Sequence, residues 1–174
     1  MTHILSCHLW KLPLVSSLVL SRLDYGNGSL VGIPLCQLKR LQSVMNSSAR
    51  MVFSSSRFDH ITSLLRQLHW LKVPERIDYK LALLVYKCLK GVAPSYLADD
   101  LCRTADVEAR HRLRSASSPS LVVRRTRLST YGDRAFPVAA SRVWNSLPHH
   151  VTSAQSLPVF CSRLKTHLFS RSFR

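Results

Sequence analysis

The feature that most constrains the fold of this chain is an apolar residue at every third or fourth position, repeated over several segments. The first clear stripe, after Pro34, comprises Leu35, Leu38, Leu41, Met45, Ala49 and Val52. Lys39, Arg40 and Arg50 lie mostly off this stripe. An amphipathic α-helix of about five turns has this pattern, because about 3.6 residues make one turn. The chain is therefore predicted to be mainly α-helical.

Proline, glycine and polar residues mark the ends of two further helices. An apolar segment at 12–20 carries Pro13 in its first turn, and the sequence GNG at 26–28 ends it, which predicts a buried helix. Asp59 is the predicted N-cap of a short helix within 61–71. The apolar face of that helix consists of Leu64, Leu65 and Leu68.

A longer helix is predicted from Pro74 to Gly91, with proline in its first turn and glycine just after its end. Its core stripe comprises Ile77, Leu81, Leu84 and Cys88, widened by Leu83, Val85 and Leu89. It is therefore expected to be the most buried helix of the chain. A short helix is predicted after it, within 93–102.

Two helices are predicted near the C-terminus. Tyr131, Gly132 and Asp133 predict a turn and helix cap, and Pro148 stops the helix that follows. Its apolar positions are Phe136, Ala139, Ala140, Val143, Trp144 and Leu147. A last helix from Ser156 carries the stripe Phe160, Leu164 and Leu168.

Aromatic and small residues on one face are more typical of core packing than of a stacking platform for bases. The helix before Pro148 is therefore predicted to dock on the core and to bury Phe136 and Trp144. The residues assigned a structural role are Trp70, Tyr131, Gly132, Asp133, Phe136 and Trp144.

These patterns together predict a small bundle of about six helices with an Arg/Ser-rich linker. Three regions are expected: a helical region at 1–102, a basic linker or arm at 103–129, and a C-terminal helical tail at 130–174. The tail is expected to dock on the first region.

The chain carries a large excess of positive charge. Its 174 residues include 25 Lys and Arg against 9 Asp and Glu, which gives a formal net charge of +16. Because 46% of the residues are hydrophobic, the composition is that of a folding chain and not of a basic disordered tail. A field of this sign favours polyanions as partners, nucleic acid before an anionic membrane.

The basic arm has two interpretations. No acidic residue occurs between 109 and 132, and the arginines in this window are Arg110, Arg112, Arg114, Arg124, Arg125 and Arg127. They could simply keep a solvated linker soluble. They could instead contact phosphates, since guanidinium groups bind phosphate oxygens without recognising a base. The run SLVVRRTRL at 120–128 could also pair as an edge strand.

Other cations are candidate nucleic-acid contacts on the predicted helices, namely Lys39, Arg40, Arg50 and Lys80. We expect no metal and no cofactor. Cys161 with His167 is the closest approach to zinc-ligand spacing, and two ligands are too few for a structural zinc. No nucleophile elbow, P-loop, HExxH or glycine-rich dinucleotide turn occurs, so the chain is not expected to be an enzyme or to bind a small-molecule substrate.

The cysteines favour a reducing compartment, because they are odd in number and scattered: Cys7, Cys36, Cys88, Cys102 and Cys161. The apolar run at 12–20 is shorter than the roughly 20 residues of a membrane span and lacks the flanks of a secretory signal. An intracellular protein is therefore expected, nuclear or cytoplasmic, without membrane contact.

Several segments resemble, in the same order, the C-terminal part of the polyprotein of LINE-type non-LTR retrotransposons of the jockey-like and chicken-repeat-like clades. They are LVLSRLDYGNGSLVGIP, LKRLQSVMNSSARMVF, FDHITSLLRQLHWLKVPERIDYKLALLVYKCLKGVAPSYLADDL, RTRLSTYGDRAFPVAASRVWNSLP and SLPVFCSRLKTHLF. The resemblance covers about residues 18–170. It departs from the family at Gly26 and Asn27, where relatives usually carry Cys and Asn.

The resemblance implies a thumb-like and C-terminal fragment that follows the polymerase palm, without the palm or the endonuclease. That family's polymerase site needs paired aspartates and a third carboxylate to hold two metal ions. Asp99 and Asp100 imitate the pair, but they correspond to the family's post-palm PSYL block and are predicted to cap a short helix.

Such a fragment is expected to be a non-catalytic accessory region that binds RNA or DNA through the backbone. The alternatives are a structural or interaction piece that needs the missing palm as its partner, or a relic without independent function. A freestanding hydrolase or transferase, whose site would need two or more converging carboxylates or histidines in a deep pocket, is the last alternative.

Overall fold

A computed structural model describes residues 10–106 and 120–173 of the chain. The predicted mainly helical fold is confirmed: six helical segments in these ranges have seven residues or more. Helix α1 spans 11–24 in three contiguous pieces, Lys11–Val15, a π-helical turn Ser16–Leu20 and Ser21–Asp24. The other helices are α2 (Leu35–Phe53), α3 (Ile61–Gln67), α4 (Val73–Leu89), α5 (Ser95–Ala98), α6 (Ser129–Gly132), α7 (Phe136–Asn145), α8 (His149–Thr152) and α9 (Leu157–Ser172).

The described residues form two compact units. The first unit comprises the described residues within 1–27, 33–76 and 168–174, and the second comprises those within 28–32 and 77–167. This grouping differs from the linear division at 102 and 129, because two long helices, α4 and α9, each contribute residues to both units.

The core of the first unit is built on α2, which packs against α1 and α3. Its fully buried or nearly fully buried side chains are Val15, Leu20, Met45, Ala49, Val52, Leu64, Leu65, Trp70, Leu71 and Val73. An ion pair fixes the end of α1 to the start of α4, since Arg76 Nε donates to Asp24 Oδ1 at 2.9 Å.

Two expectations for the first unit are corrected by the structure. Asp59 does not cap α3: it accepts a hydrogen bond from the Ser56 N–H at 2.8 Å, and His60 occupies the N-cap position without a side-chain bond. The apolar segment at 12–20 forms a helix as predicted, but Leu14 and Leu18 are about half exposed, so only one side of the helix is buried.

The core of the second unit surrounds Phe160, which has no solvent exposure. The ring of Tyr86 stacks on Phe160 at 4.3 Å between centroids, and the indole of Trp144 lies at 6.0 Å. The Tyr86 hydroxyl donates to the Ala154 carbonyl at 3.1 Å, which satisfies the polar end of a buried aromatic side chain. The predicted stripe of α9 is thereby confirmed, with Leu164 and Leu168 equally buried.

Helix α4 contributes the most buried side chains of any described helix, as predicted, and they are Val73, Ile77, Leu81, Ala82, Val85, Tyr86 and Cys88. The predicted core position Leu84 is only half-buried. Tyr86 is buried in the core, although the predicted apolar stripe did not include it. Gly91, at φ +69°, then ends the helix in the left-handed conformation that suits glycine.

Helix α7 differs from the predicted docking helix at its start. Its N-cap is Ala135, which makes no side-chain capping bond, and Asp133 lies two residues earlier at the C-terminal end of α6. Trp144 is 4% exposed, whereas Phe136 is half-buried and Tyr131 is 75% exposed. The indole is thus the main aromatic contribution of this segment to the core.

The edge strand expected at 120–128 does not form. Within the described ranges, the β-type pairing of this segment is limited to one isolated antiparallel bridge, between Arg103 and Leu121. Side chains of other segments hold residues 121–126 instead of a neighbouring strand.

Candidate nucleic-acid interface

The second unit holds a basic segment, 120–127, which we call the arginine arm. Its first anchor is Asn145, the last residue of α7, which bonds both backbone polar groups of Leu121. The Leu121 N–H donates to Asn145 Oδ1 at 2.9 Å, and Asn145 Nδ2 donates to the Leu121 carbonyl at 2.8 Å. The Leu121 side chain is 2% exposed, so the arm enters the core at this residue.

Neighbouring backbone groups strengthen this anchor. Val122 N–H donates to the Cys102 carbonyl at 2.8 Å, and the Thr104 N–H donates to the Ser120 carbonyl at 3.0 Å. With the bond from the Thr104 hydroxyl to the Ser120 carbonyl at 3.1 Å, five hydrogen bonds of ordinary length therefore hold the start of the arm.

Replacing Asn145 with Ala is expected to loosen the arm and lower the free energy of unfolding by about 1–3 kcal/mol. A buried backbone group that loses its partner costs about that amount. Calorimetry measures the stability, and hydrogen exchange at residues 122–126 measures the arm. Ser153→Ala, at an exposed position of the same unit, is the matched control. Unchanged exchange in the Asn145 variant would contradict the anchor.

The second anchor of the arm is Asp133. Its Oδ1 accepts from the Thr126 hydroxyl at 2.7 Å and from Arg142 Nη2 at 3.0 Å, while Arg142 Nη1 lies 2.9 Å from Oδ2. The Arg142 guanidinium and the Thr126 hydroxyl hold the pKa of Asp133 below its usual range. The carboxylate beside the arm is thus ionised at neutral pH and already paired with Arg142.

Gly132 allows the arm to approach α6 closely. A Cβ at this position would lie 2.5 Å from Thr126 Cβ and 2.7 Å from Thr126 Cγ2. Cβ atoms in real structures essentially never lie within 3.0 Å of a heavy atom of another residue, so Thr126 would have to move. It could not then keep its bond to Asp133.

Gly132→Ala is therefore expected to destabilise the protein by about 1–3 kcal/mol, the usual cost of overpacking. Thermal unfolding followed by circular dichroism measures this. Gly28→Ala is the matched control, since its Cβ would meet nothing closer than 3.9 Å. Equal stability of the two variants would show that Thr126 does not pack on Gly132.

Between and just beyond these anchors the arm exposes three arginines. Arg124, Arg125 and Arg127 are all exposed, and none of them forms an ion pair within the described residues. Because their neighbour Asp133 is paired with Arg142, the positive charge of the three is not neutralised locally. Three exposed guanidinium groups in four residues, on a backbone anchored at Leu121 and Thr126, are suited to phosphate oxygens.

The other sequence-predicted contacts belong to helices α2 and α4 or lie outside the described residues. Lys39 and Arg40 are exposed on α2 of the first unit, and Arg50 is half-buried on the same helix. Lys80 is half-buried on α4, in the second unit. Arg110, Arg112 and Arg114 lie outside the described residues.

The sequence pattern did not indicate the residues that hold the arm: Asn145, Thr126, Arg142 and Arg103. Arg103 Nη2 donates to the Leu89 carbonyl at 3.0 Å, and the Arg103 backbone pairs with Leu121. An Asn at the end of a helix and an Asp beside an Arg-rich segment are too common to indicate such anchors. Their partners are 7 to 24 residues away in the chain.

The residues that imitate catalytic or metal ligands do not converge. Asp99 and Asp100 are exposed, with Asp99 at the C-terminal end of α5 and not at its start. Across 10–106 and 120–173 no three His, Cys, Asp or Glu side chains are grouped as metal ligands. None of the helices in those ranges is long and apolar enough to cross a membrane.

Comparison with known proteins found no matching family model, no matching curated protein and no matching solved structure.

Proposed function

We propose that this chain is a non-catalytic, retroelement-derived piece that binds RNA or DNA through backbone phosphates, with the arginine arm as its principal contact. The observation that carries the proposal is the construction of the arm. Two residues anchor the arm: Asn145 at the end of α7, and Asp133, which is paired with Arg142 of α7. The exposed arginines of the arm form no ion pair with the rest of the described chain.

The chemistry of the arm favours binding without sequence preference. Guanidinium groups pair with phosphate oxygens, and these contacts carry no sequence information by themselves. No aromatic side chain occurs among residues 120–127 to stack on a base. A net charge of +16 adds long-range attraction for any polyanion.

The resemblance to the post-palm region of LINE-type polyproteins supports the same function. It implies contact with template and primer, and it implies that polymerisation belongs to a palm that this chain does not resemble. The first unit, with Lys39 and Arg40 exposed on α2, would add further backbone contacts.

Binding of a labelled RNA–DNA hybrid across a salt series tests the proposal, with circular dichroism on the same sample. We expect submicromolar binding at low salt that weakens steeply as salt rises, with similar affinity for unrelated hybrid sequences. A helical protein that binds no hybrid at low salt would overturn the proposal.

A second function, as an interaction piece for a protein partner such as the missing palm, is favoured by one observation. Trp10, Leu14 and Leu18 are 49–63% exposed, and their spacing of four residues places them on one side of α1. Sedimentation velocity tests this function. Self-association that Leu14→Glu and Leu18→Glu abolish, in a chain that binds no hybrid, would favour it over nucleic-acid binding.

A further inference from the structure

The first unit contains an open cavity of about 360 Å³ among α2, α3 and the start of α4. This volume lies within the range of about 300–1,000 Å³ that is typical of small-molecule sites. Its walls are aliphatic: Leu35 and Leu38 from α2, Ile61 and Leu65 from α3, and Pro74 from α4.

The cavity accounts for the part of the α2 stripe that is not buried. Met45, Ala49 and Val52 are at most 2% exposed, but Leu35, on the same stripe, is 66% exposed. The apolar face of α2 therefore continues beyond the core of the unit and forms one wall of the cavity.

The amide side chain of Gln42 is already committed to the protein. Gln42 Oε1 accepts from the Val73 N–H at 2.9 Å, and Gln42 Nε2 donates to Asn46 Oδ1 at 2.8 Å. The bond to Val73 ties α2 to the start of α4, and the bond to Asn46 lies within α2. The other uncharged polar residues of the lining are Asn46 and Thr62.

The charge of the lining has a single sign. Lys39 and Lys72 line the cavity, and no Asp or Glu does. The Lys72 ammonium also lies 5.3 Å from the centroid of the Phe173 ring. A ligand that matches this lining has an apolar body and one anionic group.

We propose that this cavity binds a small aliphatic carboxylate, with its chain against the leucine and isoleucine walls and its carboxylate between Lys39 and Lys72. The lining contains no aromatic side chain on which a nucleobase could stack, so the observations favour this ligand over a nucleotide. The site lies in the first unit, whereas the arginine arm belongs to the second, and the inference does not depend on nucleic-acid binding.

Isothermal titration with three probes of equal chain length tests the inference: octanoate, octylammonium and 1-octanol. We expect one octanoate per chain with a Kd below about 1 mM, and binding of octylammonium at least about tenfold weaker. In the variant with Lys39→Met and Lys72→Met, octanoate should weaken about tenfold while 1-octanol is unchanged, since methionine keeps the apolar stem.

Lys11→Met with Arg57→Met is the matched control, because it removes two cations of the same unit that do not line the cavity. Amide shifts in an NMR titration locate the site, and they should centre on Leu35, Leu38 and Ile61.

Three results would overturn the inference. One is no saturable binding of octanoate below about 10 mM; another is equal affinity for octanoate and octylammonium. The third is that the RNA–DNA hybrid, and not octanoate, shifts the amides of Leu35, Leu38 and Ile61, which would assign the cavity to a nucleic-acid surface.

Discussion

Replacing Arg124, Arg125 and Arg127 together with Ala is expected to flatten the salt dependence of hybrid binding. Each phosphate contact contributes about 0.7–0.9 to the slope of log K against log salt concentration. Loss of three contacts should therefore reduce the slope by about 2–3 and weaken binding at low salt by about 100-fold or more. Fluorescence anisotropy across the salt series measures both quantities.

A variant with the same loss of charge elsewhere distinguishes phosphate contacts made by the arm from attraction by the net charge of the chain. Arg22→Ala, Arg57→Ala and Lys165→Ala remove three exposed cations outside the arm. This control should change the slope by less than half as much, and helix content should be unchanged in both variants. If the two variants bind alike, only net charge matters, and the arm is an ordinary solvated segment.

Trp144→Ala is expected to cost about 3–5 kcal/mol of stability, the usual range for truncating a buried aromatic side chain. The indole is 4% exposed and lies against Phe160 at 6.0 Å between ring centroids. For a chain of this length the loss corresponds to a fall in the thermal midpoint of about 6–20 °C. Differential scanning calorimetry measures it directly.

Trp10→Ala is the matched control, because Trp10 is 63% exposed. Its effect should stay within about 0.5 kcal/mol, as for other surface substitutions. Trp144→Phe should fall between the two, since it keeps an aromatic ring against Phe160. If the midpoint of Trp144→Ala matched that of Trp10→Ala, α7 would not be docked on the core.

The helices of this chain could be predicted from the sequence because they depend on local spacing. The stripe of α9 and the limits of α4 follow from periodic apolar residues and from Pro74 and Gly91. The same periodicity could not show that Leu35 lies beyond the core while Met45 lies within it. That difference depends on where α3 and α4 begin beside α2, which is set by tertiary packing.

Composition alone predicted only that the arm is basic. It left open whether the arginines keep a linker soluble or contact phosphates. The construction of the arm depends on contacts between residues that are distant in the chain, such as Leu121 with Asn145 and Thr126 with Asp133. Asp133 has the residue type of a helix cap and stands just before α7. It does not cap the helix, because the helix begins further along the chain with Ala135 at its N-cap, and the Asp133 carboxylate bonds Arg142 and Thr126. The ends of helices are the least reliable part of a prediction from sequence.

We propose that the arginine arm, held by α7, is the part of the chain that contacts nucleic acid. Hydrogen-exchange mass spectrometry of the chain with and without the RNA–DNA hybrid tests it most directly. We expect protection that is greatest over residues 122–134 and that disappears at high salt. Protection confined to α2, with no change along the arm, would contradict the claim.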